Sequence, residues 1–359
     1  DLQRSNEAEL AYLEAIRLDP ENTELNANRR GNIVDLRFEN HDFSGAEIAS
    51  LESLRLDPEN THALYNLGVA LSNQGRLAEA RDAYQDLVEI DSSYPAAWDA
   101  LGKALGDLGE LEQCELAFRQ ALRIDSQSDR IWFHLGIVLD DLGRYIEAEK
   151  AYLESIRLEP LDPNVWNNLG ACRSRQSRYL DAEACYLETV RLNPQDSIAW
   201  SNLGLIYSRQ EKFKEAEEAA LRGIKLHPDP LIAQRCWFII ARAGWWQAKP
   251  HRQVIRAYRR MSQSIEDYRK EESSWEARLM DFKSPSAALQ EAATFAQGAT
   301  SEYKEDALKF TVQSKARTFG ELLDHDPVQL RGLLPLEKSQ RLDALGKANR
   351  SLETERFGW

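Results

Sequence analysis

The sequence predicts an all-α fold, a solenoid in which two-helix hairpins repeat along the chain. Four tryptophans recur at intervals of 34 residues, and a Leu-Gly pair follows each of them three residues later. The tryptophans are Trp98, Trp132, Trp166 and Trp200, the pairs begin at Leu101, Leu135, Leu169 and Leu203, and an earlier pair begins at Leu67, with Leu64 in the tryptophan position. A fixed period of this length is typical of helical units that bury their apolar faces by stacking.

Other positions of the period carry small, aromatic or helix-breaking residues. The small position is Ala80, Cys114, Ala148, Ala182 and Ala216, and the aromatic position four residues later is Tyr84, Phe118, Tyr152 and Tyr186, with Ala220 as the exception. The closing position is Pro20, Pro58, Pro160, Pro194 and Pro228, with Ser92 and Ser126 in two copies. Small residues are expected where two antiparallel helices touch, large ones in the seam, and proline beyond a helix that it cannot continue.

Glycine marks the predicted turn inside three hairpins. Gly75, Gly109 and Gly143 stand where the first helix must end, a place that suits a left-handed residue. Ser177 and Glu211 replace glycine in the last two copies. We therefore expect those two turns to be made in another way.

This pattern resembles the tetratricopeptide repeat (TPR) family over residues 1–230, most regularly over 61–230. The earlier copies are degenerate: the helix near 26–39 lacks the Leu-Gly pair, about four residues are inserted between the prolines, and residues 6–20 form a second helix without a first. The resemblance implies a right-handed α-solenoid of about six hairpins. It also implies a protein-protein interaction scaffold that holds a protein or an extended peptide in the concave groove formed by the first helices.

Residues 231–359 are predicted to be helical but irregular, as divergent repeats or as a linker to a missing domain. Helices are expected at 231–246, from Pro250 to about 270, and at 286–297, 302–323 and 336–355. The stretch 301–355 resembles the helices that precede a CHAT caspase-like protease domain. That resemblance implies an alternative function as the recognition or regulatory half of a larger TPR-effector protein, although the protease itself is not within this chain.

Charge divides the chain at about the same place. Residues 1–230 carry 24 Lys and Arg against 42 Asp and Glu, and residues 231–359 carry 21 against 17. The acidic part argues against nucleic acid as its main ligand, because phosphate contacts need basic side chains. The basic face at 252–270 suggests a second alternative function, that of a nucleic-acid adaptor. The same basic residues are also explained by pairing with the acidic solenoid or by exposure to solvent.

The sequence shows no membrane-spanning run and no secretory signal. The chain begins with Asp1 inside a repeat, so we expect that a native N-terminus precedes it, and the C-terminus is open to the same question.

The residue before each Leu-Gly pair is expected to face the groove. Asparagine occupies this position three times, as Asn66, Asn168 and Asn202, while Ala100 and His134 interrupt the row. A carboxamide can both donate to and accept from a peptide backbone, so it can hold an extended chain without selecting a sequence. Hydrogen bonding to a neighbouring helix is the alternative explanation of these asparagines.

Further groove candidates change in charge along the array. Aromatic and acidic residues dominate the earlier copies and polar or basic ones the later copies, and the candidates are Tyr65, Asp99, Lys103, Phe133, Asn167, Arg175 and Arg209. An arginine group can hold a carboxylate or a phosphate, or can pair with acidic residues of adjacent helices. The set of two Lys, two Asn and one Arg with which chaperone-binding members of the family hold a C-terminal carboxylate is not reproduced, so we do not expect that class of partner.

The cysteines and histidines form no recognisable chemical site. Cys114, Cys172, Cys185 and Cys236 are scattered without a CxxC motif, which predicts buried free thiols and, as a default, a reducing cytoplasm. None of the six histidines lies in a motif for a nucleophile or a metal. We therefore expect no catalytic, cofactor-binding or metal site within this chain.

Overall fold

The computed structural model describes residues 2–19 and 21–271, and within them every regular element is an α-helix. The helices are α1 (Leu2–Leu18), α2 (Thr23–Glu39), α3 (Phe43–Leu56), α4 (Thr61–Asn73), α5 (Leu77–Ile90), α6 (Pro95–Asp107), α7 (Leu111–Ile124), α8 (Asp129–Asp141), α9 (Tyr145–Leu158), α10 (Pro163–Arg175), α11 (Tyr179–Leu192), α12 (Ser197–Arg209), α13 (Phe213–Lys225), α14 (Pro230–Trp246) and α15 (His251–Glu271). The predicted all-α solenoid class is confirmed.

The helices fall into two compact units, divided between Pro194 and Gln195. Unit 1 contains α1, which packs against α2, and the hairpins α2–α3, α4–α5, α6–α7, α8–α9 and α10–α11. Unit 2 contains the hairpins α12–α13 and α14–α15. The predicted helices at 286–297, 302–323 and 336–355, the resemblance over 301–355, and the predicted closing residue Pro20 lie outside the described residues.

In unit 1, the glycine of each Leu-Gly pair faces the aromatic ring of its own hairpin. A Cβ atom added to Gly68 would lie 2.4 Å from the Tyr84 ring, and one added to Gly136 would lie 2.5 Å from the Tyr152 ring. The same contact recurs for Gly102 with Phe118 and for Gly170 with Tyr186. Glycine is therefore needed to leave space for the aromatic ring. The expected contact between the two helices of a hairpin is made through that ring.

The turn inside each hairpin uses one left-handed residue whether or not it is glycine. Gly75, Gly109 and Gly143 have φ angles of 75°, 78° and 73°, as expected. Ser177 and Glu211 adopt φ of 61°, so the expectation that these turns are made in another way is wrong. The surrounding hairpin imposes the conformation, and these side chains carry the steric cost that glycine avoids.

The tryptophans have a hydrogen-bonding role in addition to packing. The indole N–H groups of Trp98 and Trp132 donate to the carbonyl oxygens of Ser92 and Ser126, each at 3.0 Å, and that of Trp166 donates to Pro160 O at 2.9 Å. The acceptor lies six residues before the tryptophan in each case, at the closing position of the preceding repeat. Each indole therefore ties the start of one hairpin to the end of the last.

Ion pairs link successive hairpins of unit 1 near the start of their second helices. Glu47 pairs with Arg76 at 2.7 Å, and Glu115 pairs with Arg144 at 2.6 Å. At the junction between them the signs are exchanged, because Arg81 pairs with Glu110 at 3.0 Å. Because these pairs are partly exposed to solvent, each contributes little to stability.

The helices α14 and α15 form a further hairpin although the sequence period is lost there. Ile239 of α14 packs with Ile255, Tyr258 and Met261 of α15, which are all buried. The side chain of Gln247 donates to the backbone oxygen of Phe213 and to Glu217, as Gln74 does to Phe43 and Glu47 in unit 1. The repeat contacts thus continue past residue 230.

Candidate binding groove

The first helices of unit 1 lie on its more tightly packed side. Within the hairpin array, α2 contacts α4, α6 contacts α8 and α8 contacts α10, whereas α4 and α6, like each pair of successive second helices, are less closely in contact. A stack that is closer on one side curves toward that side. We call the surface of α4, α6, α8 and α10 that is turned away from the second helices the groove face. The residues predicted to lie on it are Tyr65, Asn66, Asp99, Lys103, Phe133, His134, Asn167, Asn168 and Arg175.

Two asparagines of the groove face, Asn66 and Asn168, form hydrogen bonds within their own helices. Asn66 is buried, and its amide nitrogen lies 3.4 Å from the imidazole of His62, one turn earlier. Asn168 is half-buried and donates one amide hydrogen to Asn164 O at 2.9 Å, which leaves its side-chain oxygen as an acceptor. Asn167 beside it is also half-buried. Neither the Asn66 contact nor the Asn168 contact is a bond to a neighbouring helix, which was the alternative explanation of these asparagines.

Asp99 is the centre of a charged group on the groove face. Its side chain is only 4% exposed, and three cationic or ionisable groups surround it: His134 Nδ1 at 3.0 Å, Lys103 Nζ at 3.1 Å and Arg130 at 3.0 Å. Burial opposes ionisation, but the hydrogen bond from His134 and the charges of Lys103 and Arg130 hold the pKa of Asp99 below its usual value. The predicted residues Asp99, Lys103 and His134 are thus brought together.

The predicted aromatic residues are half-buried and pack against other rings. The ring of Tyr65 lies 6.0 Å from that of Tyr84 and 5.9 Å from that of Tyr94, and burial raises the pKa of Tyr65. The ring of Phe133 lies 6.2 Å from that of Tyr152. These residues give the groove face apolar surface between its polar groups.

The arginines at the end of unit 1 are held by acidic residues of the preceding hairpin. Arg173 and Arg178 both contact Glu149, at 2.8 and 2.5 Å, and Arg175 pairs with the buried carboxylate of Asp140. Burial raises the pKa of Asp140, and Arg175 opposes that change. Of the two explanations for the arginine group, the geometry favours pairing with neighbouring helices.

The remaining predicted residues lie in unit 2. Asn202 is half-buried and Arg209 is exposed, both on α12. On α15, Arg252, Arg256 and Arg260 are exposed at intervals of four residues, while the opposite face of the helix is buried. The side chains of Arg269 and Lys270 lie outside the description.

Sequence reasoning missed a cleft of about 390 Å³ between α6 and α8. Gly106 opens it, because the equivalent positions in the other hairpins carry Ser72, Asp140, Ser174 and Ser208. Its lining combines apolar side chains with two carboxylates, Asp107 and Asp141. The sequence signal that could have predicted this cleft is the glycine at position 106, where the equivalent positions carry larger residues.

The four cysteines are buried and unpaired, as predicted. In the part of the chain that the structure describes, no group of three or more His, Cys, Asp or Glu is placed to hold a metal ion. No helix between residues 2 and 271 is both long and apolar enough to cross a membrane.

Comparison with known proteins agrees with this architecture. Four tetratricopeptide repeat models match residues 32–95, 95–128, 129–162 and 161–229. No curated protein sequence matches the chain significantly.

Solved structures are similar to the chain at low sequence identity. A tetratricopeptide repeat protein from Parabacteroides merdae is 15% identical with a TM-score of 0.52, over 66% of this chain and 93% of its own. Pseudomonas aeruginosa pilF is 19% identical with a TM-score of 0.50, over 59% and 97%. YrrB, described as a TPR protein with an unusual peptide-binding site, is 22% identical with a TM-score of 0.45, over 51% and 95%.

The repeat period, the stacked hairpins and the matching models support a protein-interaction scaffold. The models together span residues 32–229, more than half of the chain. The chain belongs to the tetratricopeptide repeat family.

Proposed function

We propose that unit 1 binds an extended peptide segment of a partner protein along its groove face. The observation that carries this proposal is the placement, on the closely packed first-helix side, of half-buried polar and aromatic residues at the 34-residue interval. Asn168 offers a carboxamide oxygen, and Tyr65 and Phe133 offer apolar surface. A backbone needs acceptors and donors spaced along its path, and its side chains need apolar contact.

The second-helix side is less suited to this function. Its charged residues are largely engaged in contacts between hairpins, as for Glu47 with Arg76 and Glu115 with Arg144. Breaking these pairs to bind a ligand would cost the interactions that join the repeats. The groove face, by contrast, keeps the side-chain oxygen of Asn168 as a hydrogen-bond acceptor and the half-buried rings of Tyr65 and Phe133 as apolar surface.

The test is a selection of 12-residue peptides displayed on phage against the full chain, followed by fluorescence anisotropy with the selected peptides. Asn66→Ala/Asn168→Ala is expected to weaken binding at least tenfold, because each substitution removes a carboxamide from the row. The matched control, Gln85→Ala/Gln113→Ala, removes two carboxamides from the second helices α5 and α7 and should change binding less than twofold. Circular dichroism establishes that each variant is folded.

Equal binding by the groove variant and the wild type would exclude the asparagine row as the contact. Failure to select any peptide would exclude extended peptides as ligands of this surface.

The arginines of α15 support a second candidate function, binding of nucleic acid by unit 2. Arg252, Arg256 and Arg260 form an exposed stripe on one side of the helix. Contacts with phosphates release counterions, so affinity for a 20-base-pair DNA duplex should fall steeply with salt. Arg252→Gln/Arg256→Gln/Arg260→Gln should weaken that binding and flatten the salt dependence, and salt-independent or unchanged binding would exclude this function.

A further inference from the structure

The cleft between α6 and α8 has an apolar interior that is open to the groove face. Its volume is about 390 Å³, and Phe118, Leu111, Ile137 and Val138 form much of its wall. Gly106 contributes no side chain, and a Cβ atom added there would lie 3.3 Å from the Cys114 sulfur. The cleft therefore has the volume and the apolar lining to take a long side chain whose stem is apolar.

Two carboxylates supply negative charge at this cleft. Asp107 ends α6 and Asp141 ends α8; both are exposed, and neither has an ion-pair partner among the described residues. The two basic residues that also line the cleft, Lys103 and His134, are both engaged by Asp99. The two carboxylates are thus the charges of the cleft that have no counter-ion.

Cys114 contributes no charge of its own. Its thiol donates to Gly102 O at 2.9 Å, and burial raises the pKa of Cys114 to about 12. The thiol is therefore protonated at neutral pH, and the floor of the cleft is uncharged.

The next junction of the same unit shows what occupies the equivalent place. Between α8 and α10, the guanidinium of Arg175 reaches back to the buried carboxylate of Asp140. One repeat earlier, Gly106 stands at the position of Asp140, and Asp141 stands at the position of Arg175. The α6–α8 junction therefore keeps a carboxylate but lacks both the internal arginine and the side chain that would receive it.

We propose that the α6–α8 cleft receives an arginine side chain of the bound peptide, with Asp107 and Asp141 as its counter-ions. The aliphatic stem packs on Ile137 and Leu111, and the guanidinium replaces the cation that Arg175 supplies at the next junction. Arginine fits better than lysine, because its planar group can donate to both carboxylates at once. The inference rests on the proposed peptide-binding function and specifies which peptides it accepts.

The first test needs no peptide ligand, because the probe is N-acetyl-arginine amide. Amide NMR shifts of Gly102 and Gly106 report occupancy of the cleft. We expect a saturable shift with the arginine probe, at least tenfold weaker binding of its uncharged isostere N-acetyl-citrulline amide, and intermediate binding of N-acetyl-lysine amide. Equal shifts with the arginine and citrulline probes would overturn the proposal.

Three variants make the assignment specific. Asp107→Asn/Asp141→Asn should weaken binding of the arginine probe at least tenfold, because it removes the two charges while the shape of the cleft is kept. The control, Asp86→Asn/Glu112→Gln, removes two exposed acidic residues from α5 and α7 and should change binding less than twofold. Gly106→Ser introduces the residue found at this position in α4, α10 and α12. It should weaken binding of the probe, because it narrows the cleft without changing the charge of the cleft. Unaltered binding in the aspartate variant would overturn the proposal.

The selected phage peptides separate this inference from the proposed function. Replacing an arginine of a selected peptide with citrulline should weaken binding to the wild type tenfold but should have little effect on Asp107→Asn/Asp141→Asn. Peptides that bind the groove face with no such dependence would overturn the cleft assignment and leave the proposed function intact. Specific probe binding together with failure of every peptide would support the cleft and refute the proposed function.

Discussion

The hairpins α8–α9 of unit 1 and α12–α13 of unit 2 both have glycine at the same repeat position, but the glycine makes room for a different neighbour in each. In α8–α9, a Cβ on Gly136 would lie 2.5 Å from the ring of Tyr152. In α12–α13, Ala220 replaces the ring, and a Cβ on Gly204 would instead meet backbone, 3.2 Å from Ala216 O. The comparison teaches that glycine admits a ring in one hairpin and close approach of two helices in the other.

The first hairpin, α2–α3, shows a third arrangement. Val34 stands at the glycine position and Ser50 at the aromatic position, so the large and small side chains are exchanged. The Ser50 hydroxyl has no hydrogen-bond partner and lines a cavity of about 290 Å³. A valine on the first helix therefore does not fill the seam as well as a ring on the second.

The largest effect is expected from removal of the ring in α8–α9. Tyr152 is fully buried, so Tyr152→Ala should leave a cavity and cost about 3–5 kcal/mol. Amide hydrogen exchange should accelerate in α8 and α9 first, because stability in a stacked array is local. Exchange that accelerates equally across unit 1 would show a single cooperative core instead.

Tyr152→Phe is the matched control for the ring itself. The Tyr152 hydroxyl is buried without a hydrogen-bond partner, so its removal should be neutral or should stabilise by up to about 1 kcal/mol. A large loss in this variant would mean that the hydroxyl is bonded.

The second prediction is a double-mutant cycle on the glycine. Gly136→Ala should cost about 1–3 kcal/mol in the wild type, because its Cβ collides with the ring. In the Tyr152→Ala background the same change should stabilise by roughly 0.5–1 kcal/mol, because alanine favours helix and the space is empty. Urea unfolding measures both, and equal costs in the two backgrounds would refute the ring-clearance explanation.

Gly204→Ala tests the other half of the comparison. Its Cβ would press on the α13 backbone with no ring to move, so it should be destabilising although Ala220 is already small. A stabilising effect would show that α12 and α13 separate at little cost.

The periodic part of the fold could be predicted from the sequence because its cause is local. The repeated Leu-Gly pairs, Trp98 and its equivalents, and Gly75 each report a steric requirement within one hairpin. The same reasoning failed at Ser177, because the hairpin around it imposes a left-handed conformation that its own preference opposes. Beyond residue 230 it predicted the helices that became α14 and α15, but it left open whether they are divergent repeats or a linker, because the spacing of the repeat is lost there.

The candidate site was less predictable because it depends on which side chains meet across repeats. Asp99 and His134 were both identified as groove residues, but nothing in their spacing indicated that they form one charged group with Arg130. The cleft depends on the absence of a side chain at Gly106, which a search for functional groups overlooks. Whether these residues bind a ligand stays a prediction.

The third prediction concerns Asp140, whose place in α12 is taken by Ser208. Burial raises the pKa of Asp140, so its ionised form lowers stability at neutral pH and the penalty disappears as the pH falls toward the unfolded-state pKa near 4. Asp140→Asn should therefore stabilise the protein at pH 7, an advantage that shrinks with acidification. Thermal melts from pH 7 to 4 measure the difference.

Asp99→Asn is the control of opposite sign. The pKa of Asp99 is lowered in the folded state, so its ionised form stabilises the protein above about pH 4, and that stabilisation is lost as the pH falls through the lowered value. This variant should be destabilised at pH 7 and approach the wild type in acid. Parallel pH profiles for the two variants would contradict the assignment.

The smallest effect is expected at the turns, which the two units build alike from different residues. Ser177→Gly in unit 1 and Glu211→Gly in unit 2 should each stabilise by about 0.5–1 kcal/mol, because both residues hold a left-handed conformation that costs a Cβ-bearing residue more than glycine. Ser126→Gly is the control, since Ser126 has an ordinary φ and glycine there only adds freedom to the unfolded chain. If the urea midpoints rise for Ser177→Gly and Glu211→Gly and fall for Ser126→Gly, the hairpin rather than the turn residue sets this conformation in both units. If the midpoints fall for all three variants, the side chains of Ser177 and Glu211 make contacts that outweigh the backbone strain.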